Sequence, residues 1–465
     1  MFPSATYHNR RQALIHAVKH GIIVLRGNSA LPMNYHANQF PFVQDGSFRY
    51  YTGLTRPDLW LLLDCVAGTE CLYGPEAQLM DTLWSGTCPS LAELATSCGV
   101  TRTGTYAELV TVCQRALHQS QAMHYLPTYQ AEGIIQFAEI LGQTIEHVTQ
   151  HVSSGLITAV IAQRSIKAPE EIDELRSAIA LSASVYAEIM THCRPGRTEQ
   201  DLYARACAHV VRHGSHEAFP TILSVRGETL HNHAHTNTMQ TGDLLLIDSG
   251  TVSKCGYVSD ITRTLPVSGT FTPLQRDIYG LVLAAQRAAI ASIRPGTPFL
   301  DSHNQAALVL AHGLRDLGFM RGDPAEAVAV GAHALFFPHG LGHMLGLDSH
   351  DMESLGEDCV GYDSLFQRST QFGLASLRMA KPVQAGHVLT VEPGLYFIPP
   401  LVKHWRAERR HIDFINYEHV ESVLGFGGIR LEDDIVVTDQ GAEILSLAIP
   451  ITVDDMEQHM QALQA

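Results

Sequence analysis

Apolar and polar positions along this chain follow two rhythms, the period of strands and the period of helices. Residues 10–20 carry a helical pattern that leads into the strand-like run 21–25, Gly-Ile-Ile-Val-Leu. Residues 48–54, Phe-Arg-Tyr-Tyr-Thr-Gly-Leu, read as a second strand, and the apolar run 59–63 as a third. Strands alternating with helical patterns predict a mixed or parallel sheet. A boundary falls near Ile166–Pro169. Pro169 suits a first helical turn, and Glu170, Glu171 and Asp173 suit its positive end. Ile172, Leu175, Ile179, Tyr186 and Ile189 then recur at helical spacing up to Arg194-Pro195-Gly196. A second helix starts at Thr272-Pro273, runs through Leu281 and Ala289, and stops at Arg294-Pro295-Gly296. Each is followed by a further helix-like segment. Chance can repeat a tripeptide; the alternative is an internal duplication of two α/β halves, with a shared site where they meet.

Acids interrupt apolar strands in the second half. Residues 244–250, Leu-Leu-Leu-Ile-Asp-Ser-Gly, form an apolar strand ending in Asp248. A second strand, 256–264, carries Asp260, and Gly250 and Gly256 suit a wide-looped hairpin between the two. An unpaired carboxylate in a buried strand is costly, and a cation shared by both acids removes that cost. Glu392 follows the apolar residues 388–391, and Pro393 and Gly394 end that strand. In residues 427–437 strand alternation puts Arg430 and Glu432 on one face, so Arg430 is expected to pair with Glu432. Residues 337–351 hold His339, His343 and His350 among Gly340, Gly342 and Gly346, and glycine lets backbone approach a ligand closely. No HExxH occurs, so the single-zinc protease signature is absent.

Each of these residues alone has an ordinary explanation, as a strand-end acid or a core histidine. Together Asp248, Asp260, His343, Glu392 and Glu432 are the donors that two hard divalent ions need. Oxygen-rich ligation with one imidazole suits Mn²⁺, Co²⁺ or a hydrolytic Zn²⁺ pair better than a structural zinc. Two ions about 3.5–4 Å apart can activate water, polarise a carbonyl and hold a leaving group, which is the chemistry of amide hydrolysis.

Composition narrows the field. A length of 465 residues points to two domains. With 45% hydrophobic and 17% charged residues, the chain has ample core and is not of a disordered type. The formal net charge of -16 argues against nucleic acid and against anionic membranes as partners. Nine cysteines, with no CxxC pair, argue against a disulfide framework or a zinc knuckle and fit a reducing cytoplasm. No apolar run with a cleavage site is visible at the N-terminus, and residues 59–63 are too short to span a membrane. The 26 histidines make a metal or acid–base site worth seeking.

The four acid- and histidine-bearing segments resemble those of the pita-bread metallopeptidases, which include methionine aminopeptidase, aminopeptidase P and prolidase. The resemblance covers roughly residues 166–450, with all five ligand types in order. It implies an α/β (α+β) protein. An N-terminal creatinase/aminopeptidase-P-like α/β domain over residues 1–165 precedes a pseudo-twofold pita-bread catalytic domain over residues 166–465. Arg10-Arg11 and residues 48–53 are similar to the N-domain of aminopeptidase P and prolidase, which methionine aminopeptidases lack. Creatinase shares the fold but not the ligands. The resemblance implies Asp248 on one metal, His343 and Glu392 on the other, and Asp260 and Glu432 bridging. It further implies that His231 is an active-site histidine, and that His339 and His350 contact substrate and assist proton transfer. Glu392 is implied as acid/base as well as ligand, and Arg430 as the catalytic arginine beside the last glutamate. The loop from Asp248 to Asp260 is one residue longer than the family pattern.

Residues 373–378, Gly-Leu-Ala-Ser-Leu-Arg, resemble a prolidase insertion, with Arg378 fourteen positions before Glu392. In prolidases that arginine binds the substrate's C-terminal carboxylate, and a bidentate arginine makes a free carboxylate a requirement. The expected activity is hydrolysis of the Xaa-Pro bond of dipeptides, with Xaa-Pro aminopeptidase action on longer peptides as the alternative. A non-catalytic peptide-binding module is the rival from another class. By analogy with relatives, a homodimer is expected.

Overall fold

The apolar run at residues 59–63 becomes Trp60–Asp64, the middle strand of a five-stranded mixed sheet in the computed structural model, which describes residues 1–464. The order is Thr103–Gly104, Thr69–Tyr73, Trp60–Asp64, Ile22–Arg26, Met123–Tyr125. The central pairs are antiparallel, and the two outermost strands run parallel to their neighbours. Helices Tyr106–His118 and Ala131–Leu141 add Leu109, Cys113, Phe137 and Ile140 to a core with Val24, Trp60, Leu62 and Tyr125. Residues 48–54 are not a strand: Gly46–Thr52 is a helix. Asp45 caps it by accepting from the Phe48 amide (2.8 Å), and Gly53 ends it in the left-handed conformation (φ 71°). Phe48, Tyr51 and Thr52, three and four apart, are fully buried, so packing and capping override the strand preference of Phe and Tyr. This sheet belongs to one compact unit, Met1–Arg164 with Met352–Cys359.

The other unit holds the rest of the chain from Ser165. Pro169–His192 is followed by Glu199–Arg212, and Pro273–Ser292 by Phe299–Asp316. Both turns run through Arg-Pro-Gly, where Gly196 (φ 85°) and Gly296 (φ 88°) take backbone angles that a side chain disfavours. The Gly196 amide donates to the Met239 carbonyl (2.9 Å), and the Gly296 amide to that of Val383 (2.8 Å). Each helix pair is matched by a three-stranded antiparallel sheet. One places Leu244–Ser249 between Ile222–Ser224 and Ile261–Pro266; the other places Asp433–Thr438 between Val388–Val391 and Gly441–Ile444. Gly394–Tyr396 pairs separately with Gly428–Arg430. The repeated tripeptide thus marks a repeated α/β half. Among the described residues no helix is long and apolar enough to cross a membrane.

The acids sit nearer strand ends than alternation predicts. Asp260 precedes the strand that starts at Ile261, Glu392 follows Val391, and Leu431 and Glu432 lie between two strands. At a strand end a carboxylate can turn toward other polar groups instead of an apolar neighbour.

The loop that follows His343 is anchored by a buried ion pair. Lys167 Nζ lies 2.8 Å from Asp351 Oδ2, with both side chains 1% exposed. The Asp351 amide donates to the Met344 carbonyl (2.9 Å), and a Cβ on Gly346 would fall 2.4 Å from Asp351 Oδ2. Asp351→Ala leaves the Lys167 ammonium buried without this partner, and the expected loss of unfolding free energy is about 3–5 kcal/mol. Denaturant unfolding of the metal-free protein measures it; a loss below about 1 kcal/mol would show that the pair does not anchor the loop.

Candidate metal centre

Asp248 lies on the central strand of its sheet, directly across from Ile222 on one side and Thr262 on the other. Directly opposed residues share a face, so Thr262 points where Asp248 points. Thr262 Oγ1 donates to Glu432 Oε2 (2.7 Å), and the Glu432 amide donates to the Thr262 carbonyl (3.0 Å). The Asp260 amide donates to Asp434 Oδ2 (3.1 Å). These bonds stitch the Asp248–Asp260 hairpin to the segment that carries Glu432.

The His343 loop is joined to the Glu392 strand in the same way. The Thr390 amide donates to the His343 carbonyl (3.0 Å) and the Glu392 amide to the Leu341 carbonyl (2.8 Å). Gly340 and Gly342 line the cavity and also let backbone segments pack closely. A Cβ on Gly342 would lie 2.0 Å from the Thr390 carbonyl oxygen, and one on Gly340 2.8 Å from Leu377 Cα. That close approach brings His343 beside Glu392.

A cavity of about 520 Å³ results, lined by His231, Asp248, Asp260, His339, His343, His350, Arg378, Glu392, Arg430 and Glu432, all ten residues singled out from the sequence. Asp260, His343 and Glu432 offer ligand atoms that all lie within 4.8 Å of one another. His343 Nε2 is 3.5 Å from Asp260 Oδ2 and 3.9 Å from Glu392 Oε1. The donor set fits a cation in two further respects. Asp248 Oδ1 is buried without a hydrogen-bond partner, a rarity that a metal ligand explains. His343 Nδ1 donates to the Met344 carbonyl (3.0 Å), which leaves the lone pair on Nε2, facing the acids.

Burial, reinforced by Asp248, pushes the Asp260 carboxyl well above the usual range. Burial and then Asp260 do the same to Glu432. Burial lifts Glu392 to about 7, with the Arg430 charge opposing. The histidines move the other way. Burial, then His350, lowers His343; burial, then Arg430, lowers His231 and takes His339 to about 3. His231, His339 and His343 are therefore neutral, and Asp260 and Glu432 hold protons when no cation balances them.

Arg430 pairs with Asp248 rather than Glu432, with Nη2 2.7 Å from Oδ2. Its strand ends at Arg430, so alternation no longer relates it to Glu432. Its Nε donates to Thr262 Oγ1 (3.1 Å) and Nη1 to the Tyr396 hydroxyl (3.1 Å). His339 Nδ1 donates to the Gly340 carbonyl (2.8 Å), so its Nε2 accepts from Tyr396 Oη (2.9 Å). A continuous path thus runs Asp248–Arg430–Tyr396–His339. Tyr396 and Thr262 are absent from the residues picked out by sequence, because a fully buried Tyr and a strand Thr look like core positions. Glu199 is a third omission. Its Oε1 accepts from the Val225 amide (2.8 Å) and its Oε2 from the Asn237 amide (2.8 Å), which fixes both ends of the loop carrying His231. The His350 ring packs against His343 at 4.2 Å between centroids.

Metal loading should therefore release protons. Glu392, with its value near 7, is largely protonated at pH 6 and largely ionised at pH 8, whereas neutral His343 has no proton to give. Titration calorimetry of the metal-free protein in two buffers of different ionisation enthalpy should show more protons released per ion at pH 6 than at pH 8. Equal release at both would contradict the crowding of these acids.

Residues 173–439 match metallopeptidase family M24, and residues 7–125 match the aminopeptidase P N-terminal domain. The Xaa-Pro aminopeptidase of Escherichia coli K12 is 30% identical, with 98% of this chain and 97% of that protein covered. The human Xaa-Pro dipeptidase is also 30% identical, covering 94% of this chain and 88% of the human protein. The solved structure of zinc-substituted E. coli aminopeptidase P in complex with product superposes over 100% of this chain and 99% of its own, with a TM-score of 0.82 and 29% identity. By its sequence, its mixed α/β fold and this array of acids and histidine, the chain belongs to metallopeptidase family M24.

Proposed function

We propose that this chain hydrolyses the Xaa-Pro peptide bond with two divalent ions, Mn²⁺ foremost, and that dipeptides are its preferred substrates. The observation that carries the dipeptide reading is Arg378 on the wall of the same cavity as the candidate ligands. Burial and then His350 act most on His343, and burial and then Arg430 act most on Glu392; the Arg378 charge is a smaller influence on both. A guanidinium there recognises a free C-terminal carboxylate, which only a dipeptide presents one residue beyond the scissile bond. Phe219, Ile222, Leu230 and Pro338 provide an apolar wall suited to a pyrrolidine ring.

Asp248, Asp260, His343, Glu392 and Glu432 would hold the ions, which when bound supply Lewis acidity for the carbonyl and acidify water. Arg430 holds Asp248 in place and, through Tyr396, fixes the tautomer of His339. His231, neutral at pH 7, can accept a proton inside the cavity. Glu392, beside the ions as a ligand, is the proposed acid/base: it would take a proton from the attacking water and pass it to the departing amine. The alternative, an Xaa-Pro aminopeptidase acting on longer peptides, draws on the likeness to E. coli aminopeptidase P over the whole chain.

Rates on an Xaa-Pro dipeptide and on a longer Xaa-Pro-led peptide, measured with Mn²⁺-reloaded protein, decide between the two. The dipeptide is expected to be the better substrate. Arg378→Ala should lower its kcat/KM by about 10–100-fold, the worth of one hydrogen-bonded charge pair, and leave the longer peptide within a few-fold. A wild-type preference for the longer peptide would establish the aminopeptidase reading. Bound metal without hydrolysis of either peptide would point to a binding module.

A further inference from the structure

Ser349 lines the cavity between the candidate ligands and His350, and nothing described so far uses it. Its hydroxyl donates to Asp260 Oδ2 at 2.6 Å. The segment that carries it is held on both sides. The Gly346 amide donates to the Asp348 carbonyl (3.2 Å), the Asp351 amide donates to the Met344 carbonyl (2.9 Å), and the buried Lys167 ammonium donates to Asp351 Oδ2 (2.8 Å). The hydroxyl is therefore delivered to Asp260 by a closed, anchored loop.

We propose that Ser349 is a positioning residue of the metal centre, orienting the Asp260 carboxylate so that two cations can share it. Thr262 Oγ1 stands in the same relation to Glu432, at 2.7 Å. The two carboxylates expected to bridge thus each receive one hydroxyl, from two different segments of the chain. A carboxylate oxygen has two lone pairs, so Asp260 Oδ2 can accept the Ser349 proton and still face a cation. The torsion that turns a carboxylate plane is soft, and a bridging ligand must hold that plane between two mutually repelling ions. A fixed donor narrows the torsion before any ion arrives, as outer partners do for metal ligands generally. The inference rests on the two-ion reading of the site.

The test uses the full chain with Ser349→Ala, with Ser349→Val, which keeps bulk but no donor, and with Ser349→Thr, which keeps the hydroxyl. Mn²⁺ titration by calorimetry should show two ions bound to the wild type. Binding of the weaker ion should fall by about 10–100-fold in the Ala and Val variants and stay within about threefold in the Thr variant. Low-temperature electron paramagnetic resonance of the loaded Ala protein should lose the exchange-coupled Mn²⁺-pair signal at a stoichiometry where the wild type shows it. An unchanged melting temperature of the metal-free Ala protein separates this from damage to the fold. Two ions in the wild type with equal affinity and an equal pair signal in the Ala variant would overturn the role of Ser349 and leave the two-ion reading standing. A wild type that takes up no more than one ion would overturn the two-ion reading, and the inference with it.

Discussion

Four carboxylates, Asp248, Asp260, Glu392 and Glu432, converge on one cavity where water screens them poorly, and much of the second unit is organised around their mutual repulsion. Two like charges about 4 Å apart cost roughly 4 kcal/mol at an effective dielectric near 20, and desolvation adds to that. Without a cation the penalty is met by protons, which is why burial and neighbouring acids push Asp260 and Glu432 upward. With divalent cations the same crowding becomes attraction. The duplicated halves explain how one chain places so many acids together. Each contributes a three-stranded sheet with an acid in or beside its central strand: Asp248 lies within its ladder, and Asp260, Glu392 and Glu432 lie just beyond strand ends.

Crowding alone would give a disordered cluster, and dedicated partners prevent that. Asp248 is held by Arg430, Glu432 by Thr262, and Asp260 by Ser349 and by its own amide on Asp434. His343 is set in one tautomer by the Met344 carbonyl. Most of these partners come from a different segment than the residue they hold, so the site's geometry depends on the packing of the whole unit. Lys167 and Asp351 extend that dependence to the start of the unit's first helix.

Overall likeness does not choose the substrate. An Xaa-Pro aminopeptidase and an Xaa-Pro dipeptidase are each 30% identical to this chain over nearly its full length. Selectivity between a dipeptide and a longer peptide turns on whether a free carboxylate meets a partner, and one charged side chain can supply that difference. Arg378 lies on the cavity wall, and the proposed dipeptide preference assigns that part to it.

The acids at apolar strand ends, the Gly-embedded histidines and the repeated Arg-Pro-Gly were legible because they are local: each is a break in a periodic pattern, and periodicity needs no partner. The helical nature of residues 46–52 was not, since Phe and Tyr favour strands until a capping Asp45 and a terminating Gly53 are considered together. The pairing of Arg430 with Asp248 was also out of reach, because alternation applies only while the strand lasts. Tyr396, Thr262, Ser349 and Glu199 carry ordinary signals in sequence and acquire their roles only from residues far along the chain. The amino-acid sequence by itself determined which chemical groups are present and the strands and loops that carry them. The tertiary structure decided which group each one faces, because hydrogen bonds and ion pairs depend on a few ångströms of separation that no linear spacing encodes.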